Sequence, residues 1–314
     1  MKEKIEMIAG VDEVGRGPLA GPVVAAAVVL PKDHSIEGLK DSKKLSKKRR
    51  TELYPIIIEH ALGTGIGEVG VSTIDKINIR EATFLAMERA LAQLPMVPDR
   101  ALIDGEALRS QQIPNEGVIK GDDKIDSIKA ASIIAKVTRD NIMAQYGKVY
   151  PEYGFDSNSG YGTKIHLDAL DRYRATPIHR RSFSPVKNKM PTISWLLDND
   201  RIPWMCEKLA ALYLRDRGYD IIEIDHGYEK EQRINIIAKD NDDLTIFVNV
   251  RTLPLDHDDR TKFSANTEEL ISIKDAVGSC SYEAEVPKLH RIDVISVRLN
   301  KNNPPNIKHF KGII

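Results

Sequence analysis

The sequence of 314 residues contains very little cysteine and lacks a long apolar run. Its two cysteines, Cys206 and Cys280, exclude a disulfide framework and a cysteine-rich zinc site. Its apolar runs stay well below the roughly 20 residues that a membrane-spanning helix needs, and its first residues do not follow a signal-peptide pattern. The eight histidines do not show a paired metal-binding spacing such as His-Glu-x-x-His. We therefore expect a cytoplasmic protein without a membrane partner.

The chain also lacks a net charge, because 46 Lys and Arg balance 46 Asp and Glu. These charges are unevenly distributed: residues 1–190 carry 29 basic and 25 acidic side chains, whereas residues 191–314 carry 17 and 21. Only the first part is mildly suited by charge to a polyanion. Its basic residues cluster between Lys40 and Arg50, in a run more typical of a solvated helix face than of a binding site.

Length and hydrophobic pattern indicate two α/β domains. In the first part, strand and helix patterns alternate. We predict strands at Ile8–Val14, Val23–Leu30, Gly63–Val71, Ala101–Ile103 and Gly117–Lys120, and helices at Ile79–Leu91 and Ser127–Tyr146, the second capped by Asp126.

The segment Val186–Asp200 contains two prolines beside or within it and shows little periodicity, which is typical of a linker. We place the domains at 1–190 and 201–314, with residues 191–200 between them. In the second domain we predict helices at Cys206–Arg217, ended by Gly218, and at Glu268–Val277, strands at Ile221–Ile224, Ile234–Ala238, Thr245–Val250 and Arg291–Leu299, and a hairpin turn at 240–243.

Two adjacent carboxylates, Asp12 and Glu13, interrupt the apolar run of the first strand, and Gly15-Arg16-Gly17 follows at once. Adjacent anions on a core strand are costly unless a cation neutralises them. An enzyme that needs a divalent metal beside a nucleic-acid backbone would use such a pair of carboxylates to hold the metal. The alternative is an acidic pair at a strand end that faces solvent.

Two further acids stand where other elements of the first part end or begin. Asp104 follows a strand and precedes a glycine, and Asp122 precedes a helix whose amino-terminal dipole favours negative charge. Each alone is typical of a turn former. Together with Asp12 and Glu13, at the carboxyl edge of an α/β sheet, they are candidates for a metal site.

Several motifs of residues 1–190 occur in the order found in one known family. They are Gly10–Pro22, Asp41–Ser46, Ile77–Ile79, Asp104-Gly105, Gly121-Asp122, Ala130–Asp140, Gly160–Thr163 and His179–Phe183. In number and order these motifs are very specific, and through them the first part of the chain resembles the bacterial ribonuclease HII family.

The resemblance implies a ribonuclease H-like fold, a mixed sheet flanked by helices. It implies an endonuclease that cleaves RNA hybridised to DNA, including single ribonucleotides embedded in duplex DNA, as in ribonucleotide and primer removal. The metal-binding and catalytic positions then correspond to Asp12, Glu13, Asp104 and Asp122. The substrate-binding positions correspond to Gly15, Arg16, Gly17, Lys43, Lys44 and Tyr161.

In this family context we expect two-metal hydrolysis with Mg²⁺ or Mn²⁺, which leaves a 3′-hydroxyl and a 5′-phosphate. A general-base histidine is not required, so His166 and His179 are expected to be structural or adjacent to substrate.

The sequence departs from the family pattern at two positions. Lys129 replaces the small residue of the family and either faces solvent or influences the metal site. Asp123 directly follows Asp122, which we prefer as the ligand on family spacing.

The second part resembles the YraN-type family, a group with a restriction-endonuclease-like fold, over segments of residues 207–295. Arg233 and Asn235 replace an acid-x-Asp pair, Asn249 and Arg251 replace Glu-x-Lys, and Glu207 is retained. Because an amide lacks the charge that a divalent cation seeks, we expect a degenerate domain that does not cleave. A protein partner for residues 201–314 is as plausible as a nucleic acid, and nothing in the sequence demands more than a monomer.

Three other functions compete with this interpretation. A protein that binds RNA–DNA hybrids without cutting them would have lost the four acids, and here all four are present. A dinucleotide-binding enzyme would continue its glycine-rich turn into a helix, but Pro18 and Pro22 interrupt it. A related integrase would share the acids, but it would not be expected to combine Gly15-Arg16-Gly17 with Tyr161.

Overall fold

The computed structural model describes residues 6–109, 112–224, 234–255, 290–300 and 303–313. The chain divides into two compact units: unit 1 comprises residues 1–144 and 153–190, and unit 2 comprises residues 145–152 and 191–314. Each unit contains one five-stranded sheet. Within the described ranges, the helices do not combine the length and the apolar character that crossing a membrane requires.

Unit 1 contains the mixed sheet that the sequence predicts. Its strands are β1 (Ile8–Val14), β2 (Val23–Val29), β3 (Gly63–Val69), β4 (Arg100–Asp104) and β5 (Asn115–Val118). Their order in the sheet is β3-β2-β1-β4-β5. The strands β1, β4 and β5 are parallel, whereas β2 is antiparallel to both β1 and β3. The ends of β1 and β4 therefore meet at one edge of the sheet.

Helices cover both faces of this sheet, with α2 (Val71–Ala92) on one face and α1 (Lys47–His60) and α4 (Asp126–Val149) on the other. The shorter helices of this part of the chain are α3 (Gly121–Lys124), α5 (Phe155–Asn158) and α6 (Lys164–Tyr173). All seven residues of β2 are buried. Alternate side chains of a strand point to opposite faces of the sheet, and both faces are covered by helices. Val23, Ala25, Ala27 and Val29 pack on the side of α2, and Ala26 and Val28 pack on the side of α1 and α4. A strand buried on both faces is expected to be continuously apolar.

Strand β3 has glycine at the alternate positions 63, 65 and 67, and the last two of these allow α2 to approach the sheet closely. A Cβ atom at Gly65 would overlap the carbonyl oxygen of Ala90, and one at Gly67 would overlap that of Ala86. The backbone of α2 therefore lies directly against β3, at a spacing that admits no side chain at these positions.

Unit 2 contains a second mixed sheet, in the order β10-β9-β8-β7-β6. Its elements are α7 (Ile193–Asp198), α8 (Ile202–Arg215), β6 (Asp220–Ile224), β7 (Ile236–Lys239), β8 (Thr245–Thr252), β9 (His290–Arg298) and β10 (Asn306–Phe310). Among the strands of this unit that the structure describes, only β8 and β9 pair in parallel. Helix α8 packs on the sheet, and the chain leaves it through Gly218, whose φ of +87° suits glycine.

The structure differs from the predicted elements in several places, and it adds helices α1, α3, α5 and α6, which the sequence analysis does not predict. Helix α2 begins eight residues earlier than predicted and is interrupted at Asn78, whose φ is +66°. The Asn78 carboxamide accepts bonds from the N–H groups of Arg80 and Glu81, so it caps the half that the pattern does predict. The predicted linker contains α7, whose six residues are too few to show periodicity.

Strand β10 is a further element that the sequence pattern did not indicate. The predicted helix Glu268–Val277 lies outside the described residues, so the structure does not test it.

We expect the substitution Gly67→Ala to lower the free energy of unfolding by about 2–3 kcal/mol, because the new methyl group would overlap the α2 backbone. Gly70, which lies between β3 and α2, is a matched control. Its φ is −75°, and a Cβ atom there would meet nothing within 4 Å. Gly70→Ala should cost less than about 1 kcal/mol. Urea unfolding followed by circular dichroism measures both, and equal losses would contradict the close approach of α2.

Candidate metal centre and substrate-binding loop

Asp12 and Glu13 are adjacent in β1, but their side chains lie on opposite faces of the sheet because strand residues alternate. Asp12 faces α4, where Ser132 lies near its carboxylate, and it is only 4% exposed. Glu13 lies on the α2 side, in a cleft of about 100 Å³ that Arg80 also lines. Their adjacency in sequence therefore does not place the two carboxylates side by side.

Asp104 and Asp122 reach the same edge as Asp12 from β4 and α3. Strand β4 is parallel to β1, so Asp104 at its end lies near the carboxyl end of β1. The Oδ1 atom of Asp104 accepts hydrogen bonds from the N–H groups of Gly121 at 2.7 Å and Asp122 at 3.3 Å. These bonds fix the start of α3 against the end of β4 and bring the Asp122 side chain toward Asp104.

Carboxylate oxygens of Asp12, Asp104 and Asp122 lie within 4.8 Å of one another. Burial raises the pKa of Asp12 well above its usual value, and the charges of Glu13 and Asp104 raise it further. Burial and the charge of Asp122 also raise the pKa of Asp104. Desolvated anions this close are costly without a cation, and hard oxygen donors are those that Mg²⁺ and Mn²⁺ prefer. The donor set therefore fits a divalent cation.

The two lysines singled out in the sequence contact two different aspartates. The Nζ atom of Lys43 lies 3.5 Å from Asp122 Oδ2, and the Lys43 side chain is 77% exposed. Lys44 instead pairs with Asp123. The structure thus places Asp122, rather than Asp123, in the carboxylate cluster, and it places an exposed ammonium group directly beside that cluster.

Lys129, which departs from the family pattern, pairs with Asp126 at the start of α4. Its Nζ atom lies 2.8 Å from Asp126 Oδ1, and its side chain is 17% exposed. Asp126 is the first residue of α4, where a negative charge is favourable. The Lys129 ammonium group therefore has a carboxylate partner outside the cluster.

Gly15-Arg16-Gly17 begins the loop that joins β1 to β2, which we call the 15–22 loop. Gly15 has a φ of +98°, and a Cβ there would overlap Nε of Arg139, so only glycine fits. Arg16 is exposed, and its guanidinium lies 3.5 Å from Glu13 Oε1. The loop therefore presents an exposed cation and a glycine-rich backbone next to the acidic residues of β1.

Tyr161 lies against this loop. A Cβ atom at Gly17 would lie 3.4 Å from Cε1 of the Tyr161 ring, which is in van der Waals range, and Tyr161 is 48% exposed. The N–H group of Leu19 donates to the carbonyl oxygen of Gly160 at 2.8 Å, so the loop and the turn before Tyr161 are joined. The structure thus brings Gly15, Gly17 and Tyr161 together on one surface.

Two buried histidines support Tyr161 from below. The N–H group of Thr176 donates to Nδ1 of His179 at 3.0 Å, which leaves the His179 proton on Nε2. That atom lies 2.9 Å from Nε2 of His166, and Nδ1 of His166 donates to the Tyr161 carbonyl oxygen at 2.9 Å. Burial lowers the pKa of both histidines, and the charge of His166 lowers that of His179 further. Both rings are therefore neutral at neutral pH, and all four ring nitrogens are engaged.

Arg139 and Arg180 were not singled out as functional residues from the sequence, although both lie in family motifs. Each is fully buried, and each donates hydrogen bonds to backbone carbonyls of the 15–22 loop. A sequence signal for their burial is lacking, because their partners lie more than 100 residues away in the chain.

In unit 2, Asn235 contacts the retained acid Glu207. The Asn235 Nδ2 atom donates to Glu207 Oε1 at 2.8 Å, and its Oδ1 atom accepts from the N–H group of Val250 at 2.7 Å. Glu207, Asn235 and Asn249 are all buried. Arg233 lies outside the described residues. Both ends of the Asn235 amide are therefore engaged in hydrogen bonds within the unit.

Comparison with known proteins identifies relatives of the first part of the chain. The family model for ribonuclease HII matches residues 9–186. The chain is 56% identical over 183 residues to the ribonuclease HII of Leuconostoc mesenteroides, which covers 58% of this chain and 72% of the relative. It is also 56% identical over 187 residues to that of Enterococcus faecalis, covering 60% and 73%.

The fold is similar to the crystal structure of the ribonuclease H2 from Pyrococcus horikoshii OT3. The TM-score is 0.50 at 28% identity, over 58% of this chain and 96% of the other. This similarity confirms the ribonuclease H-like fold predicted for the first part of the chain. Since the family model spans more than half of the chain and curated members share over half of their aligned residues with it, the chain belongs to the ribonuclease HII family of metal-dependent endonucleases.

Proposed function

We propose that residues 1–190 hydrolyse the RNA strand of RNA–DNA hybrids and nick duplex DNA on the 5′ side of a single embedded ribonucleotide. One observation carries this proposal: the carboxylates of Asp12, Asp104 and Asp122 lie within 4.8 Å of one another. The 15–22 loop, which carries the exposed Arg16 beside Glu13, and the ring of Tyr161 extend from that edge. Such an arrangement suits cleavage of a backbone at a recognised sugar.

In this proposal Asp12, Glu13, Asp104 and Asp122 hold divalent cations, Mg²⁺ or Mn²⁺. When bound, a divalent cation supplies Lewis acidity for in-line hydrolysis of a phosphodiester, which leaves a 3′-hydroxyl and a 5′-phosphate. The chain keeps the donor oxygens in place. Asp12 Oδ1 accepts from the N–H group of Glu13 at 2.7 Å, and Asp104 Oδ1 is fixed by the start of α3.

Recognition of the ribonucleotide is assigned to Gly15, Arg16, Gly17 and Tyr161. The 2′-hydroxyl is the group that distinguishes RNA from DNA locally, and the backbone of residues 15–17 is the part of the loop that can approach it. The exposed face of Tyr161 stacks under the adjoining deoxyribose. Lys43 and Lys44 contact phosphates, which positions the substrate without reading its bases.

We expect Asp122→Asn to lower the cleavage rate about a thousandfold or more, because an amide does not supply the charge that holds the cation. The substitution preserves shape, so the fold should be unchanged. The measurement uses an end-labelled DNA duplex with one embedded ribonucleotide, incubated in Mg²⁺, Mn²⁺ or EDTA. The unmodified chain should nick 5′ to the ribonucleotide with either metal and should leave the all-DNA duplex intact.

Asp123→Asn is the matched control, since Asp123 is adjacent in sequence but pairs with Lys44 at the surface. It should retain activity within about threefold, because surface ion pairs contribute little. Activity in EDTA, or full activity of Asp122→Asn, would show that the carboxylate cluster is not the catalytic centre.

Tyr161→Ala should slow cleavage at a single embedded ribonucleotide about tenfold or more, because one stacking contact is worth roughly 1–3 kcal/mol. Cleavage within a long RNA tract hybridised to DNA depends less on the RNA–DNA junction and should fall much less. Tyr161→Phe keeps the ring and serves as the control. Parallel loss of both activities in Tyr161→Ala would argue against a role in junction recognition.

We infer that unit 2 has a restriction-endonuclease-like fold and does not cleave nucleic acid. Its mixed sheet with α8 packed against it supports this inference, as do the replacements at Asn235 and Asn249. The amide of Asn235 donates to Glu207, the bond expected where a ligand pair has been converted into a structural contact. The net negative charge of residues 191–314 argues against tight binding of nucleic acid, so a protein partner is as plausible as a nucleic acid.

The substitution Asn249→Ala should leave cleavage of the ribonucleotide duplex unchanged within about twofold, because the centre of unit 2 takes no part in the reaction. The rate is normalised to the folded fraction, since Asn249 is buried. Residual nuclease activity in Asp122→Asn that disappears on adding Asn249→Ala would contradict a non-cleaving unit 2.

A further inference from the structure

Two fully buried arginines lie beneath the 15–22 loop. Arg139 is on α4, Arg180 follows α6, and both are 0% exposed. In the part of the chain that the structure describes, neither forms an ion pair with a carboxylate. Arginine is rarely buried to this extent unless it is paired, so the partners of these two guanidinium groups are informative.

Both guanidinium groups donate to main-chain carbonyls of residues close to the substrate-binding surface. Three nitrogens of each group take part, at donor–acceptor distances of 2.5–3.3 Å. The acceptors are the carbonyl oxygens of Gly15, Arg16, Ala20, Gly21, Pro22 and Ser159. Five of these six carbonyls belong to the 15–22 loop, so the two arginines fix most of its backbone.

The bonds to Gly15 and Arg16 determine where the next N–H groups point. In a trans peptide the C=O group of one residue and the N–H group of the next point in opposite directions. The Gly15 and Arg16 carbonyls point inward at Arg180, so the N–H groups of Arg16 and Gly17 point away from it. Arg16 and Gly17 are exposed, and among the described residues these two N–H groups have no hydrogen-bond acceptor. They are available to a phosphate or a sugar hydroxyl.

The arginines also place positive charge directly under the loop. Burial lowers the pKa of Arg139 to about 10. Burial and the charge of Arg139 lower that of Arg180 to about 9. Both groups remain protonated at neutral pH. A positive charge behind outward-pointing N–H groups favours an anion in front of them, in a region where poor hydration strengthens the attraction.

Arg139 connects the loop to the turn that carries Tyr161. Its Nη1 atom donates to the Ser159 carbonyl at 2.9 Å, while its Nη2 atom donates to Ala20 at 3.1 Å. A Cβ atom at Gly160 would lie 2.6 Å from the Ala20 carbonyl oxygen, so the two segments are in direct contact. One guanidinium group therefore fixes the position of Tyr161 relative to Gly17.

We propose that Arg139 and Arg180 are positioning residues for ribonucleotide selection, which hold the N–H groups of Arg16 and Gly17 and the ring of Tyr161 in one fixed arrangement. This inference rests on the proposed function of the 15–22 loop. The planar guanidinium group is essential to it, because a lysine would keep the charge but could not donate to the three carbonyls that Arg139 contacts or the four that Arg180 contacts.

The test compares the full-length chain with Arg180→Lys and Arg139→Lys on two substrates, a duplex with one embedded ribonucleotide and a continuous RNA–DNA hybrid. We expect each variant to lower the ratio of kcat/KM for the first substrate over the second about tenfold, mainly through KM, as the loss of one or two hydrogen bonds predicts. Arg172→Lys is the matched control, since Arg172 lies exposed on α6, and it should leave the ratio unchanged.

A purely structural role would lower both activities in proportion to the folded fraction and leave both the ratio and KM unchanged, which would overturn the proposal. Failure of the unmodified chain to cleave either substrate would instead contradict the proposed function.

If the lysine variants do not fold, NMR of the unmodified chain labelled with ¹⁵N-arginine provides the test. Two Nε–H groups should exchange slowly with solvent and shift on addition of the ribonucleotide duplex in Ca²⁺. Fast exchange, or no shift despite binding, would overturn the proposal.

Discussion

Mutual repulsion among the carboxylates of Asp12, Asp104 and Asp122 is the constraint on which the rest of unit 1 depends. Burial raises the pKa of both Asp12 and Asp104, and the charges of neighbouring carboxylates raise it further. Only a rigid framework keeps such groups together. The parallel pairing of β1 and β4 and the bonds from the start of α3 to Asp104 supply that framework, and Lys43 offsets part of the charge.

The framework itself depends on small residues. Strand β2 is made of alanine and valine alone, and the glycines of β3 allow α2 to lie against the sheet. Helix α4 packs on the other face, and Gly10 provides the space, since a Cβ there would overlap the backbone of Ser127 and Ile128. The position of Asp12 on the central strand of the sheet is therefore determined by close packing on both faces.

The two units treat buried acids in opposite ways. In unit 1 three carboxylates face one another, an arrangement that a metal ion completes. In unit 2 the carboxylate of Glu207 accepts a bond from the amide of Asn235, and Asp293 is enclosed by Arg291, His309 and the N–H group of Gly312. Burial alone would raise the pKa of Asp293, but these partners hold it below its usual value. The carboxylates of Glu207 and Asp293 therefore have their hydrogen-bond partners within the protein itself.

Apolar runs and strand ends are local signals, and they were sufficient to predict the strands of unit 1 and to select Asp12, Asp104 and Asp122 as candidates. The mixed order of the sheet was implied by the family resemblance alone. Whether these acids bind metal stays a prediction. The separation of Glu13 from Asp12 follows from strand alternation, which the motif alone does not express. The kink at Asn78 and the burial of Arg139 could not be predicted, because both depend on contacts made only in the folded chain.

The histidine pair beneath Tyr161 has a consequence for acidic conditions. His166 and His179 are buried and share one proton between facing nitrogens 2.9 Å apart, so protonation of both would oppose two cations at that distance. Their pKa values in the folded chain lie below the ordinary 6.5, and the unfolded chain therefore takes up more protons as the pH falls. The stability that the neutral pair contributes is complete above about pH 6.5 and declines below it, toward the lowered pKa values of the folded state. Acidification would therefore loosen the turn that carries Tyr161.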